Sequence, residues 1–419
     1  MFRQRMNADE AKELFLKAFV PLSDTEKLPI ADCDCRIIAE NITAAINVPN
    51  YSRAAMDGFA VRACDTLGAG SNSPVVLKLA KAVESRNFGL RRVGVCEAYP
   101  LFDKPFLKVF ENGTCVRVHT GSPIPDGADA VVMLEDAVLR EDKVEIFMQL
   151  HPGKNVGETG EDIKKGEVIL KEGHRLRPCD IAVLAALGIR DIPVFRKPLV
   201  AVIPTGEELV SRENKTLREG EVYETNGLMA TLYIRKWSGA SRLLDIVEDD
   251  PEKIKDAISS NLDADMIITS GGTSVGKRDF VPGVVGSMGT LLVHGVGISP
   301  GKPTALGIIK GKPVVCMPGY PVAGIVALFF FAREALRKLG HIPDEQDRKV
   351  HAVLSGKIPG RTGYKTFARV KLEKGKAIPL ATSGAGIMSS VSKADGFVII
   401  PENVEGYDKG EEVEVVLIE

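Results

Sequence analysis

The chain has 419 residues, too many for one hydrophobic core, since cores stop growing at about 250–300 residues and longer chains divide into domains. Hydrophobic residues make up 44% and charged residues 26%, the balance of a globular protein, so wholesale disorder is excluded. With 54 Lys and Arg against 56 Asp and Glu, a formal net charge of -2, there is no global basic field to hold a nucleic acid.

In chain order, Asn7 and Asp9 can cap a helix whose Ala11, Leu14, Phe15, Ala18 and Phe19 recur at the spacing of one buried face. The same N-terminal stretch, MFRQRMNADEAKELF, turns polar at once and lacks the apolar core of an export signal. No membrane partner is expected, because the most apolar run, Val322 to Ala332, is too short to cross a bilayer and reads as a buried helix. Seven cysteines, with Cys33 and Cys35 spaced for neither a zinc knuckle nor a CxxC site, read as reduced thiols of a cytoplasmic protein. From Val75 to Gln149, short runs such as Val75–Leu79, Cys115–Val118, Ala130–Leu134 and Val144–Met148 alternate with Gly, Pro and Asp and predict a β-rich module. A helical stretch over Asp180 to Leu187, closed by Gly188, precedes a linker at Arg196-Lys197-Pro198.

Beyond it, strands at Leu199–Ile203, Leu243–Val247, Met266–Thr269 and Val314–Cys316 alternate with helices near Gly227–Trp237, after Asp250 and from Val322 to about Leu339. That rhythm predicts a mostly parallel sheet covered on both faces. Asp250 as N-cap and Pro251 at the first helical position mark one helix start plainly. After Pro343 the candidate strands Val350–Leu354, Phe367–Leu372, Gly396–Ile400 and Val413–Ile418 predict a small all-β domain.

Of the 41 glycines, 13 lie between Ile268 and Gly324, well above average usage. There an apolar strand runs into Ser270-Gly271-Gly272-Thr273-Ser274, a turn that suits either a phosphate cradle or an ordinary tight βα connection. Two further strand-then-loop segments, at Thr205-Gly206-Glu207-Glu208 and Pro318-Gly319-Tyr320-Pro321, would share its sheet edge. Glu207, Glu208, Asp249 and Asp279 follow successive strands and suit a Mg²⁺ ion bridging phosphates, whereas Asp250 reads as a cap. Lys302, on the stiff loop Ser299-Pro300-Gly301-Lys302-Pro303, can neutralise an oxyanion. Loops at Ala55–Ala60, Val118–Pro125 and Gly160–Ile163 fall outside the α/β unit, and by composition are turn chemistry.

Taken in order, MDGFA at Met56–Ala60, TGSPIPDGADAVV at Thr120–Val132, GEDI at Gly160–Ile163, TGEEL at Thr205–Leu209, TNGL at Thr225–Leu228, SGGTSVGKRD at Ser270–Asp279, PGKP at Pro300–Pro303 and PGYPV at Pro318–Val322 resemble the molybdopterin molybdenumtransferase family, which includes bacterial MoeA and the gephyrin E domain. The resemblance implies an α/β multidomain fold: a linker domain from 1–45 and 150–195, a β-rich inserted domain at 46–149, a molybdopterin-binding α/β domain at 196–343 and a small β-barrel-like domain at 344–419. It implies a transferase that inserts molybdate, or tungstate, into adenylylated molybdopterin with Mg²⁺ and releases AMP.

Carried over by position, Asp249 and Asp279 would hold the cation, with Glu208 in the same acidic cluster. Gly271, Gly272 and Ser274, with Pro300, Gly301, Pro318, Gly319 and Pro321, would line the substrate, and Lys302 would face the oxyanion. Asp57, Thr120 and Asp162 match positions implicated in activity and would complete the cleft from the second subunit of a homodimer. Arg369, Ser389 and Ser390 fall where some members contact molybdate. The chain departs from the family at Ser299, where many members have Lys, and at Tyr320 and Ala323, where they have Asn and Ser. An adenylyltransferase acting one step earlier on molybdopterin, or a scaffold or cofactor carrier, are the alternative readings. MDGFA, TGSPIP and the β-rich C-terminal domain argue against the adenylyltransferase.

Overall fold

The computed structural model describes residues 5–80, 111–213, 216–273, 280–344, 347–380 and 385–418. The chain forms two compact units, one from Met1–Glu40, Glu172–Ile181 and Asp191–Glu419, the other from Asn41–Lys171 and Ala182–Arg190.

In the first unit, helix α1 (Ala8–Lys17) is capped by Asn7, whose Oδ1 accepts the Asp9 and Glu10 N–H groups at 2.8 and 3.2 Å. Its Ala8, Ala11 and Phe15 are buried, while Leu14, expected on the same face, is 40% exposed because it falls at the edge of the stripe. The central sheet follows: β1 (Leu199–Pro204), α2 (Asn226–Lys236), β2 (Ala240–Leu243), α3 (Pro251–Ser259), β3 (Met266–Ser270), α4 (Val281–Met288), β4 (Thr290–His294), β5 (Ala305–Ile309) and β6 (Lys312–Met317). The strand order is β2-β1-β3-β6-β5-β4; the first four run parallel, and β5 and β4 join antiparallel. Successive side chains serve opposite faces. Val200 and Val202 pack with Phe15 and Ile325, whereas Ala201 and Ile203 pack with Ile254 and Ile258 of α3.

Two expectations need correction here, while the linker at Arg196-Lys197-Pro198 stands as a connection between two strands. The strand expected at Leu243–Val247 lies earlier, at Ala240–Leu243, where the sheet edge tolerates Ser241 and the exposed Arg242. The helix expected from Val322 to Leu339 is α5 (Pro321–Ala327), a π-helical turn over Leu328–Ala332 and α6 (Arg333–Leu339). The Arg196 linker is pinned: its guanidinium binds Asp265 at 2.8 and 3.0 Å and Asp24 at 3.1 Å, and the hydrogen bond to Asp265 raises the arginine pKa.

At the C-terminus, Lys365–Glu373, Lys376–Pro379, Lys349–Leu354, Glu412–Leu417 and Gly396–Ile400 pair in a closed circuit, a five-stranded barrel. Ile298–Ser299 adds to it in parallel beside Lys365 and Thr366. Ala352, Leu354, Val370, Val398, Ile400 and Val415 fill its core.

The second unit is built on a six-stranded sheet ordered Ala130–Met133, Gly58–Val61, Thr114–Val118, Val75–Leu79, Lys143–Ile146, Ala137–Arg140. Phe59, Val61, Leu77, Cys115, Val132, Val144 and Ile146 form its core; the last five come from the expected β-type runs, whereas Phe59 and Val61 lie on Gly58–Val61, a buried strand paired on both sides where a loop was expected over Ala55–Ala60. Every cysteine among the described residues is a free thiol, and burial pushes Cys115 and Cys316 up to about 12. No helix among the described residues is long and apolar enough to cross a membrane.

Candidate active site

Register brings three turns to one level. Pro204 of β1 pairs with Ser270 of β3, and Ser270 with Met317 of β6, so the chain leaves all three strands side by side. Backbone hydrogen bonds extend the lock past the strands: Thr205 N–H donates to Ser270 O at 2.8 Å, Gly206 N–H to Val247 O at 3.2 Å and Gly271 N–H to Met317 O at 3.1 Å. Gly271 is required by clearance alone, since a Cβ there would lie 2.1 Å from Thr205 O and its φ is +108°. Its N–H is already committed to Met317 O, so Gly271 serves the close packing of the Thr205 turn rather than acting as an anion donor. Gly272, at φ +59°, leaves room for Val281 and brings the turn near Asp249.

Residues the sequence pattern underrated hold the third turn. Asn226, 6% exposed at the start of α2, donates its Nδ2 to Gly319 O at 2.7 Å. Gly319 rests against Gly271, with 3.6 Å from its ideal Cβ position to the Gly271 Cα. The Glu224 carboxylate accepts the Gly227 and Leu228 N–H groups at 2.5 and 3.3 Å, so it already occupies the positive end of α2. The TNGL motif lies on this segment, and Thr225 at the N-cap position makes no side-chain cap bond.

Among the carboxylates, Asp249 is half-buried with Oδ1 3.8 Å from the ideal Cβ position of Gly272. Glu208 is exposed and folds back to within 3.0 Å of the corresponding position on Gly206. Asp250 is a cap, accepting Glu252 and Lys253 N–H groups at 2.9 and 3.0 Å. Ser274 and Asp279 lie outside the described residues.

The Pro300–Pro303 loop abuts α5, with the Gly301 Cβ position 3.6 Å from Ala323 O. Its Lys302 belongs to a basic cluster around Tyr364, a phenol 5% exposed, with Arg5 and Arg361 stacked 4.1 and 4.3 Å from the ring centre. Burial raises the Tyr364 pKa, but the Arg5 hydrogen bond and the charges of Arg361, Arg5 and Lys302 outweigh it and hold the hydroxyl below its ordinary value. Arg369, singled out from the sequence, is instead 3% exposed in the middle of its strand, and burial lowers its pKa. Ser390 is buried too, donating to Ile387 O at 2.6 Å, whereas Ser389 is exposed. Arg361, in the GRTGY turn, is exposed.

In the second unit, Asp57 precedes Gly58–Val61 and Thr120 follows the antiparallel strand Thr114–Val118, so the pairing of Gly58 with Val118 sets them side by side. Asp57 Oδ1 accepts both the Thr120 N–H at 2.6 Å and the Thr120 hydroxyl at 2.9 Å. Those two bonds, the backbone one foremost, hold the carboxyl below the usual range. Asp162 is exposed on a separate turn fixed by its N–H bond to Val48 O at 3.1 Å. Both turns lean on Arg53–Ala54: Gly121 N–H donates to Ala54 O at 2.8 Å, and Arg53 pairs with Glu161 at 2.8 Å.

This architecture has known counterparts. Residues 6–188 match the MoeA N-terminal region (domain I and II), 201–338 a family described as "Probable molybdopterin binding domain", and 351–418 the MoeA C-terminal region (domain IV). The molybdopterin molybdenumtransferase of Haemophilus influenzae is 30% identical over 418 residues, covering 98% of each chain. That of Bacillus subtilis is 31% identical over 413 residues, covering 96% of this chain and 91% of its own. The crystal structure of the molybdopterin biosynthesis MoeA protein from Pyrococcus horikoshii superposes with a TM-score of 0.84 at 36% identity, covering 99% of this chain and all of that one. By motifs, domain order and full-length similarity, the chain belongs to the MoeA family of molybdopterin molybdenumtransferases, proteins of molybdenum cofactor biosynthesis.

Proposed function

We propose that the protein transfers molybdate, or tungstate, to the dithiolene of adenylylated molybdopterin and releases AMP. The observation that carries this reading is the register-locked convergence of the Thr205, Gly271–Gly272 and Pro318–Gly319 turns beside Asp249, in a chain of this family. In this reading the pyrophosphate-linked substrate lies along the sheet edge, where the two glycines let the Thr205 turn and Val281 pack closely and Asn226 fixes the opposite wall. Lys302, Arg361 and Arg5 provide the positive field for the oxyanion.

Among the described residues no three His, Cys, Asp or Glu side chains converge as a metal cage. Mg²⁺ does not need one, since it is commonly held by one or two carboxylates together with substrate phosphates, and Asp249 offers an oxygen donor of that kind. When bound, the cation would neutralise charge on the pyrophosphate.

Asp57, Thr120 and Asp162 serve the same substrate from the neighbouring copy of a homodimer. Thr120 keeps Asp57 ionised and oriented through the two bonds to one oxygen. The direct test supplies purified protein with adenylylated molybdopterin, Mg²⁺ and molybdate or tungstate, and follows AMP and metal-loaded cofactor; a folded sample that releases no AMP in response to the oxyanion sinks the proposal. Asp57→Asn and Asp249→Asn chains, each inactive alone, regain part of their turnover when co-assembled if two copies share the site.

A further inference from the structure

We infer that Tyr320 is a specificity-determining residue, a stacking platform for a flat heteroaromatic ring of the substrate; this rests on the reading of the sheet edge given above. Tyr320 follows Gly319 and immediately precedes α5, which starts with Pro321. Its backbone cannot drift from the cradle, because the Asn226 amide holds the preceding Gly319 O and Gly319 rests against Gly271. On the far side, Val322 N–H donates to Ala385 O at 2.9 Å, which joins the turn to a segment of the C-terminal region. The ring lies against the next residue of that segment: the ideal Cβ position of Gly386 is 3.4 and 3.7 Å from Cδ1 and Cε1. These are ordinary van der Waals separations, so the Gly386 backbone gives one face of the ring a support.

Tyr320 nonetheless remains 67% exposed, and Ile387 and Met388, which follow Gly386, are 42% and 37% exposed. An exposed aromatic side chain that rests on one backbone segment, next to the Gly319–Gly271 contact of the sheet edge, has the geometry of a stacking partner. Any planar base offers a π face to such a ring, and hydrogen-bond readout is not required. The ligand chemistry is therefore a planar heterocycle linked to phosphate, either adenine or pterin.

The experiment uses the full chain as wild type, Tyr320→Phe and Tyr320→Leu, titrated with AMP, molybdopterin and adenylylated molybdopterin, followed by ultraviolet difference absorbance and, where turnover occurs, by KM and kcat. Tyr320→Phe should bind within about twofold of wild type, and Tyr320→Leu about tenfold more weakly, with a raised KM, an unchanged kcat and loss of the stacking-induced absorbance change. A defect with AMP alone assigns adenine to the ring; a defect with molybdopterin but not AMP assigns the pterin. Equal affinity for Leu and wild type, Phe as weak as Leu, or a change in oligomeric state with no change in affinity overturns the inference. Wild-type protein that binds ligand with the expected Phe–Leu difference but forms no metal-loaded cofactor defeats the proposed reaction and leaves the stacking assignment standing.

Discussion

The sheet edge of the first unit and the Asp57–Thr120 pair of the second reach order by opposite means. At the sheet edge the candidate residues are backbone and glycine, locked by strand register and buried neighbours. In the second unit, two exposed side chains are joined by hydrogen bonds to a single carboxylate oxygen. Substitution at the first therefore confounds chemistry with folding, and substitution at the second separates them.

The largest effect should come at the sheet edge. Gly271→Ala introduces a Cβ 2.1 Å from Thr205 O at a positive φ and should cost about 3–4 kcal/mol of stability as well as activity. Retention of both the thermal midpoint and turnover in that variant would break the contrast. Asp57→Asn should lower turnover by about 100-fold while moving the thermal midpoint by less than about 2 °C; a collapse of the midpoint would make Asp57 structural.

Third in size is Arg196→Met, which leaves Asp265, 8% exposed, without its guanidinium and should cost about 2 kcal/mol with kcat unchanged. Denaturant unfolding of the full chain, with kcat measured alongside, reads both parts.

The smallest effect is a titration. Because the folded Asp57 pKa is depressed, any stability it contributes is present above its unfolded value of about 3.9 and is lost only as pH falls through the lower folded value. Thr120→Val removes the hydroxyl bond but keeps the backbone bond, the larger cause, so the carboxyl midpoint seen by NMR should rise only part of the way toward the ordinary range. No movement at all would show that the hydroxyl bond is immaterial.

Local signals read well from the sequence. The Asn7 and Asp250 caps, the apolar runs that became β1, β3 and β6, and four of the six sheet strands of the second unit all depend on residues near one another in the chain. The ordered motifs carried the family in the same way. Less legible was whatever depended on a neighbour from a distant segment: the Arg196 pairing with Asp265, and the edge position of β2, which moved that strand to its more polar half.

By itself, then, the sequence determined the apolar central strands, the Asn7 and Asp250 helix starts, and which turns hold glycines and carboxylates, because propensity, capping and periodicity are local. Tertiary structure decided why those residues matter. Strand register, a long-range property, set three turns level; Thr205 O, from a different strand, made glycine necessary at 271; and closure of the barrel buried Arg369 while Arg361 joined Lys302 around Tyr364. Spacing along a chain cannot report which of two arginines eight residues apart is solvated, since that depends on the strands that pair across it.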